Sequence, residues 1–158
     1  MAEIKSMFHQ VKVPVEDRDC LRFYWWKDGN YHLKPDVFRM TVHLFGAVSS
    51  PSCAASALLK TAEDNENLFS KDAIEIIRRN FYVDDCLKSV DSPERAVTLV
   101  DDLTRLCQRG GFKLTKWISN DRNVLETISV EEIAKDLVEL DLDYGKLPIE
   151  HALGVSCQ

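Results

Sequence analysis

The run FYVDDCLKSV, Phe81–Val90, sets two carboxylates side by side between two short strand-like segments, FYV and CLKSV. A turn within Val83-Asp84-Asp85-Cys86 is expected to join them as a hairpin with Asp84 and Asp85 at its tip. Aspartate is a favoured turn residue, so a plain turn is one reading. The flanking residues are apolar rather than Gly or Asn, however, and adjacent carboxylates repel each other unless a cation or a proton intervenes. A hard divalent cation such as magnesium takes oxygen ligands, commonly one or two carboxylates together with phosphates. Two such ions can activate an attacking hydroxyl and stabilise a leaving pyrophosphate. That chemistry asks for a further carboxylate on a neighbouring strand, and Glu3, at the head of the first strand-like segment, is the candidate.

Outward from the hairpin, capped helices and short strands alternate. Ser92-Pro93-Glu94 is a cap followed by proline in the first turn, and Ala96, Leu99, Val100, Leu103, Leu106 and Cys107 recur at helical spacing until Gly110-Gly111. A shorter helix is expected over Ser70–Arg79, with Ile74 and Ile77 facing inward, and another after Ser49-Ser50-Pro51. Phe112–Ile118 alternates as a strand, Val124–Leu140 reads as an acidic helix, and His151–Val155 as a last strand. Near the N-terminus, Ile4–Val13 begins strand-like and passes into a helical turn. Cys20–Trp26 and Val37–Leu44 are aromatic and β-branched runs that predict a hairpin with a long loop. The sum is an α+β fold, helices packed on one face of a largely antiparallel sheet.

Composition bounds the function. A chain of 158 residues with 45% hydrophobic residues can bury one sizeable core and is expected to form one folding unit or a piece of one. No apolar run is long enough for a membrane span and no signal-peptide layout opens the chain, which predicts a soluble, intracellular protein without a membrane partner. Five cysteines without a C-x-x-C suggest neither a disulfide framework nor a thiolate zinc site. His9, His32, His43 and His151 lack metal-binding spacing, and no nucleophile elbow or Walker loop is present. The net charge of −6 comes from the last quarter: residues 1–120 hold 17 acidic and 17 basic side chains, residues 121–158 nine and three. That excess reads as a solvated helix face.

Five blocks, EIKSMFHQVKV, HLFGAVSSPSCAASAL, NFYVDDCLKS, GGFKLTKWISN and ALGV, stand in the order of the palm motifs of reverse transcriptases. Together they resemble the BEL/Pao group of LTR retrotransposon polyproteins, over nearly the whole chain. The resemblance implies a palm with a ferredoxin-like, RRM-like antiparallel sheet and RNA-directed DNA polymerase activity, a nucleotidyl transfer using Mg2+ or Mn2+. Asp84 would be the principal metal ligand and Asp85 its partner. Glu3 falls where the family pattern D-I-x-x-M-F-x-Q-V has its metal-binding aspartate, a departure that keeps the charge and adds a methylene. Phe8 matches the bulky residue that selects deoxynucleotides. Phe45, Gly46, Ser50 and Pro51 match the motif near the incoming nucleotide and template. Lys116, with Lys113 close by, resembles the lysine proposed to protonate pyrophosphate. Ala152–Val155 resembles the primer-grip hairpin, with Cys157 where the family has tryptophan.

The partners implied are an RNA or DNA template-primer, deoxynucleoside triphosphates and the remainder of a polyprotein. The location implied is the cytoplasm, with a virus-like particle or the nucleus as alternatives. Fingers, thumb and ribonuclease H regions of such an enzyme are not found in these 158 residues, so the chain reads as a partial reverse transcriptase domain with little or no activity by itself. The competing reading is a non-catalytic, retroelement-derived module that binds nucleic acid or protein.

Overall fold

A computed structural model describes residues 1–134 and the backbone of residues 150–152 and 155–157. The chain divides into two compact units, Met1–Lys5 with Ala55 onward, and Ser6–Ala54. The chain crosses between them twice, after Lys5 and, within a helix, after Ala54.

The first unit holds a four-stranded antiparallel sheet. Its strands are β1 (Ala2–Ile4), β4 (Phe81–Tyr82), β5 (Asp85–Cys86) and β6 (Leu114–Thr115), in the spatial order β4-β5-β1-β6. Helix α3 (Lys71–Arg79) leads into β4, and α4 (Pro93–Arg109) connects β5 to β6. Helix α4 therefore joins two strands of the same direction with one antiparallel strand, β1, between them, and β4, which α3 leads into, runs in the direction of β1 with β5 between them. Both helices start on local chemistry. Ser70 Oγ accepts a hydrogen bond from the Ala73 amide and Ser92 Oγ one from the Arg95 amide, with Pro93 opening α4. Their inner faces bury Ala73, Ile74, Ile76 and Ile77 of α3, and Leu99, Leu103, Leu106 and Cys107 of α4. Arg95 ties the two starts together with an ion pair to Asp72 at 2.5 Å.

Side chains alternate across a strand, so each residue's face follows from register. Ala2 opposite Cys86 and Ile4 opposite Leu114 are buried, and with Ile76, Leu106, Cys107 and Phe112 they form the centre of the core. The other face carries a row of polar residues.

Three expected elements differ. The strand over Phe112–Ile118 is cut to Leu114–Thr115, because Lys116 takes a left-handed conformation (φ 52°). The helix over Val124–Leu140 is only α5 (Arg122–Glu126). Thr127 Oγ1 donates to the Val124 carbonyl, and the chain then turns extended to exchange backbone bonds with Trp117 from Glu132 and Ala134. The rest of that expected helix, from residue 135, lies outside the described residues. The single strand expected over His151–Val155 is instead two, β7 (Glu150–Ala152) and β8 (Val155–Cys157), paired antiparallel.

The second unit opens with Ser6 at φ 50°, which turns the chain into α1 (Met7–Gln10). The expected hairpin is present as β2 (Arg22–Trp25) and β3 (Asp36–Arg39), an antiparallel ribbon whose residues are exposed on both faces. Helix α2 (Ser50–Asp64) starts in this unit and carries across the boundary. No helix among the described residues is long and apolar enough to cross a membrane.

Candidate functional site

Registers across the first unit's sheet place Tyr82, Asp85, Glu3 and Thr115 in one row, one residue from each strand. Two of the four are carboxylates directly opposite each other, an arrangement that costs stability in a sheet unless something neutralises it. A lysine does so here: Lys116 Nζ donates to Glu3 Oε2 at 2.6 Å. The hydrogen bond to Glu3 holds the Lys116 pKa above its ordinary value; partial burial opposes it, while the charges of Glu3, Asp84 and Asp85 add to it. Asp84 and Asp85 thus lie within electrostatic reach of the same ammonium.

The turn between β4 and β5 is two residues, Val83 and Asp84, with Tyr82 paired to Asp85. Asp85 therefore belongs to the strand and only Asp84 to the turn. Val83 sits at φ 55°, a conformation that β-branched residues rarely take. The Asp84 carbonyl accepts the Ile4 amide at 2.8 Å, which fixes the turn against β1. Lys113, the other lysine candidate, pairs with Glu132 at 3.1 Å, so Lys116 is the lysine beside the carboxylates.

The donor chemistry suits a hard divalent cation, since Glu3, Asp84 and Asp85 offer only carboxylate oxygen. As the side chains stand, no three His, Cys, Asp or Glu among the described residues are gathered closely enough to hold a metal ion. Glu3 is engaged by Lys116 instead.

Phe8, Phe45, Gly46, Ser50 and Pro51 lie in the second unit. Phe8, on α1, packs its ring against Phe45 with centroids 5.9 Å apart. Gly46 has φ 90° with open space where a Cβ would stand, so the backbone conformation itself accounts for glycine. Ser50 is fully buried, its Oγ donating to the Leu44 carbonyl at 2.7 Å and lying 3.5 Å from His43 Nδ1, and Pro51 follows it, exposed, in the first turn of α2. Of the primer-grip resemblance, Ala152 and Val155 pair across β7 and β8. The residues between them lie outside the described residues.

Sequence reading overlooked Tyr82 and Thr115, although strand alternation around Asp85 and Glu3 would have found both. Among known proteins, no family model matches this chain and no curated protein does.

Proposed function

We propose that this chain is the palm part of an RNA-directed DNA polymerase of the BEL/Pao retrotransposon type, in a ferredoxin-like fold. The observation that carries the reading is the placement of Glu3 and Asp85 on adjacent strands, in register, with Asp84 in the turn beside them and Lys116 against Glu3. The order of the first unit, β1, then helices α2 and α3, then β4, β5, α4 and β6, and its antiparallel neighbours suit that fold.

The reaction is attack of a primer 3′-hydroxyl on the α-phosphorus of a deoxynucleoside triphosphate, forming a phosphodiester and releasing pyrophosphate. Asp84, Asp85 and Glu3 would hold magnesium or manganese, which when bound lowers the pKa of the attacking hydroxyl and offsets charge on the leaving group. Adjacent strands set Glu3 opposite Asp85. Lys116 would give a proton to pyrophosphate. Phe8 would crowd the sugar 2′ position, and Phe45, Gly46, Ser50 and Pro51 would border the nucleotide and template.

Calorimetric titration with Mg2+ and Mn2+ tests the centre: binding should be lost in Asp84→Asn and Asp85→Asn, and binding indifferent to both changes would return Asp84 and Asp85 to a plain turn. Primer extension on an RNA template should give little or no product from this chain alone, because nucleotide-gripping and duplex-tracking surfaces are supplied elsewhere in such enzymes. Template-directed incorporation abolished by Asp84→Asn would show the chain to be sufficient.

A second reading, a non-catalytic interaction module, is favoured by one observation. The β2–β3 ribbon exposes Phe23, Tyr24, Trp25, Val37 and Phe38, and exposed aromatic surface is a common feature of binding sites. Metal binding independent of Asp84 and Asp85, together with nucleic-acid or protein binding lost on Tyr24→Ala and Trp25→Ala, would favour this module.

A further inference from the structure

A row of side chains that sets Glu3 opposite Asp85 brings two negative charges together on one face of the sheet. The structure answers that repulsion from within the chain. Lys116 follows β6 directly, and its left-handed backbone (φ 52°) accompanies a 2.6 Å bond from Nζ to Glu3 Oε2. The Lys116 side chain is 64% exposed and that of Glu3 28%. The ammonium can therefore leave for water at small cost, whereas the carboxylate cannot withdraw as easily. An ion pair of that exposure is weak enough to be exchanged.

We propose that Lys116 is an internal counter-cation that competes with divalent metal for Glu3. Its ammonium neutralises the opposed carboxylates when no metal is bound, and it must leave Glu3 before a metal ion can use that oxygen. Metal affinity is accordingly set in part by Lys116, and the side chain is released toward solvent as metal enters. This rests on the metal-centre reading above. It adds an exchange step that the reading does not require, and it gives Lys116 a function in the absence of substrate.

The test is Mn2+ affinity by calorimetry at low ionic strength for the wild type, Lys116→Asn, Lys116→Arg and Asp85→Asn. Asparagine removes the charge and tolerates the left-handed backbone, so Lys116→Asn should fold. It should bind Mn2+ about three- to ten-fold more tightly than the wild type, the range set by displacing one exposed ion pair and removing one positive charge. Lys116→Arg, which keeps a cation, should stay within about two-fold of the wild type. Equal affinity in the wild type and Lys116→Asn, with loss in Asp85→Asn, would overturn the competition and leave the carboxylate centre standing. No Mn2+ binding in any form would overturn both. Independently of any substitution, the Nζ resonance of Lys116 in the wild-type protein should shift as Mg2+ is added, in step with the binding isotherm. A saturating titration that leaves that resonance unmoved would equally refute the exchange.

Discussion

Glu3 and Asp85 face each other across the pairing of β1 with β5, and Lys116 holds Glu3 at 2.6 Å from beyond β6. Three strands far apart in sequence thus meet in one electrostatic unit. The pairing of Glu3 with Lys116 should be measurable as a coupling energy. In a double-mutant cycle of Glu3→Gln and Lys116→Asn, followed by urea unfolding without divalent ions, we expect about 0.2–1 kcal/mol, since both groups keep contact with water. The coupling should shrink as salt is raised from 0.01 M to about 1 M, where charges are screened within a few ångström. A coupling of zero at low salt would mean that the pair does nothing for the fold.

Val83 carries a conformational cost that its neighbours impose. It occupies the first position of the two-residue turn at φ 55°, and the ladder on both sides, from Tyr82–Asp85 to the bond between the Asp84 carbonyl and the Ile4 amide, leaves no room to relax. A left-handed β-branched residue costs on the order of 1–2 kcal/mol, and asparagine is more tolerant of positive φ. Val83→Asn should raise the urea midpoint, with a gain of about 0.5–1 kcal/mol after the loss of a half-buried isopropyl group. A lower midpoint would show that Val83 is retained for packing, not in spite of strain.

What could be read from sequence and what could not divide along the distance over which each feature is determined. The starts of α3 and α4 were legible because Ser70 and Ser92 cap their own helices, within a few residues. The hairpin around Asp84 and Asp85 was legible for the same reason. Lys116 at φ 52° and Ser6 at φ 50° were not, because nothing local asks a lysine or serine to turn left-handed; the sheet and the chain beyond it impose the turn. The truncation of the expected helix after Glu126 has the same origin, since backbone bonds to Trp117 outcompete another helical turn. The identity of Glu3 as the facing carboxylate could be suspected from position, but its engagement by Lys116 depends on the register of β1 with both β5 and β6.

Gly110 marks where α4 meets α2. A Cβ added there would stand 2.1 Å from Thr61 Oγ1 and 2.8 Å from its Cγ2, while φ at Gly110 is an ordinary −91°. The constraint is therefore steric and not conformational. Gly110→Ala should destabilise the fold by about 1–3 kcal/mol, the range of an overpacked core. Thr61→Ala removes both of the nearest atoms and should recover much of the loss when combined with Gly110→Ala. Failure of that rescue would place the strain elsewhere.

Two core cysteines make the fold sensitive to alkali. Burial pushes the Cys86 thiol up to about 11 and that of Cys107 up to about 12, from an unfolded value of about 9. Both are acids whose neutral form the fold prefers. Between pH 9 and their folded values the unfolded chain has lost protons that the native chain keeps, so stability falls as pH rises, by up to about 1.4 kcal/mol per pH unit for each thiol. Well below pH 9 neither contributes a slope. Lys116, with its pKa raised above 10.5, adds a loss of the same sign once pH passes its unfolded value, as its bond to Glu3 loses its charge. Urea midpoints measured from pH 8 to 11 should therefore drop steeply above pH 9, and Cys107→Ala should flatten the slope while lowering stability at pH 8 through the cavity it leaves. At pH 8 iodoacetamide should modify the exposed Cys20 quickly and Cys86 and Cys107 only at the rate of unfolding. Rapid modification of Cys107 in the native state, or a slope unchanged in Cys107→Ala, would contradict a buried, protonated thiol at the centre of the core.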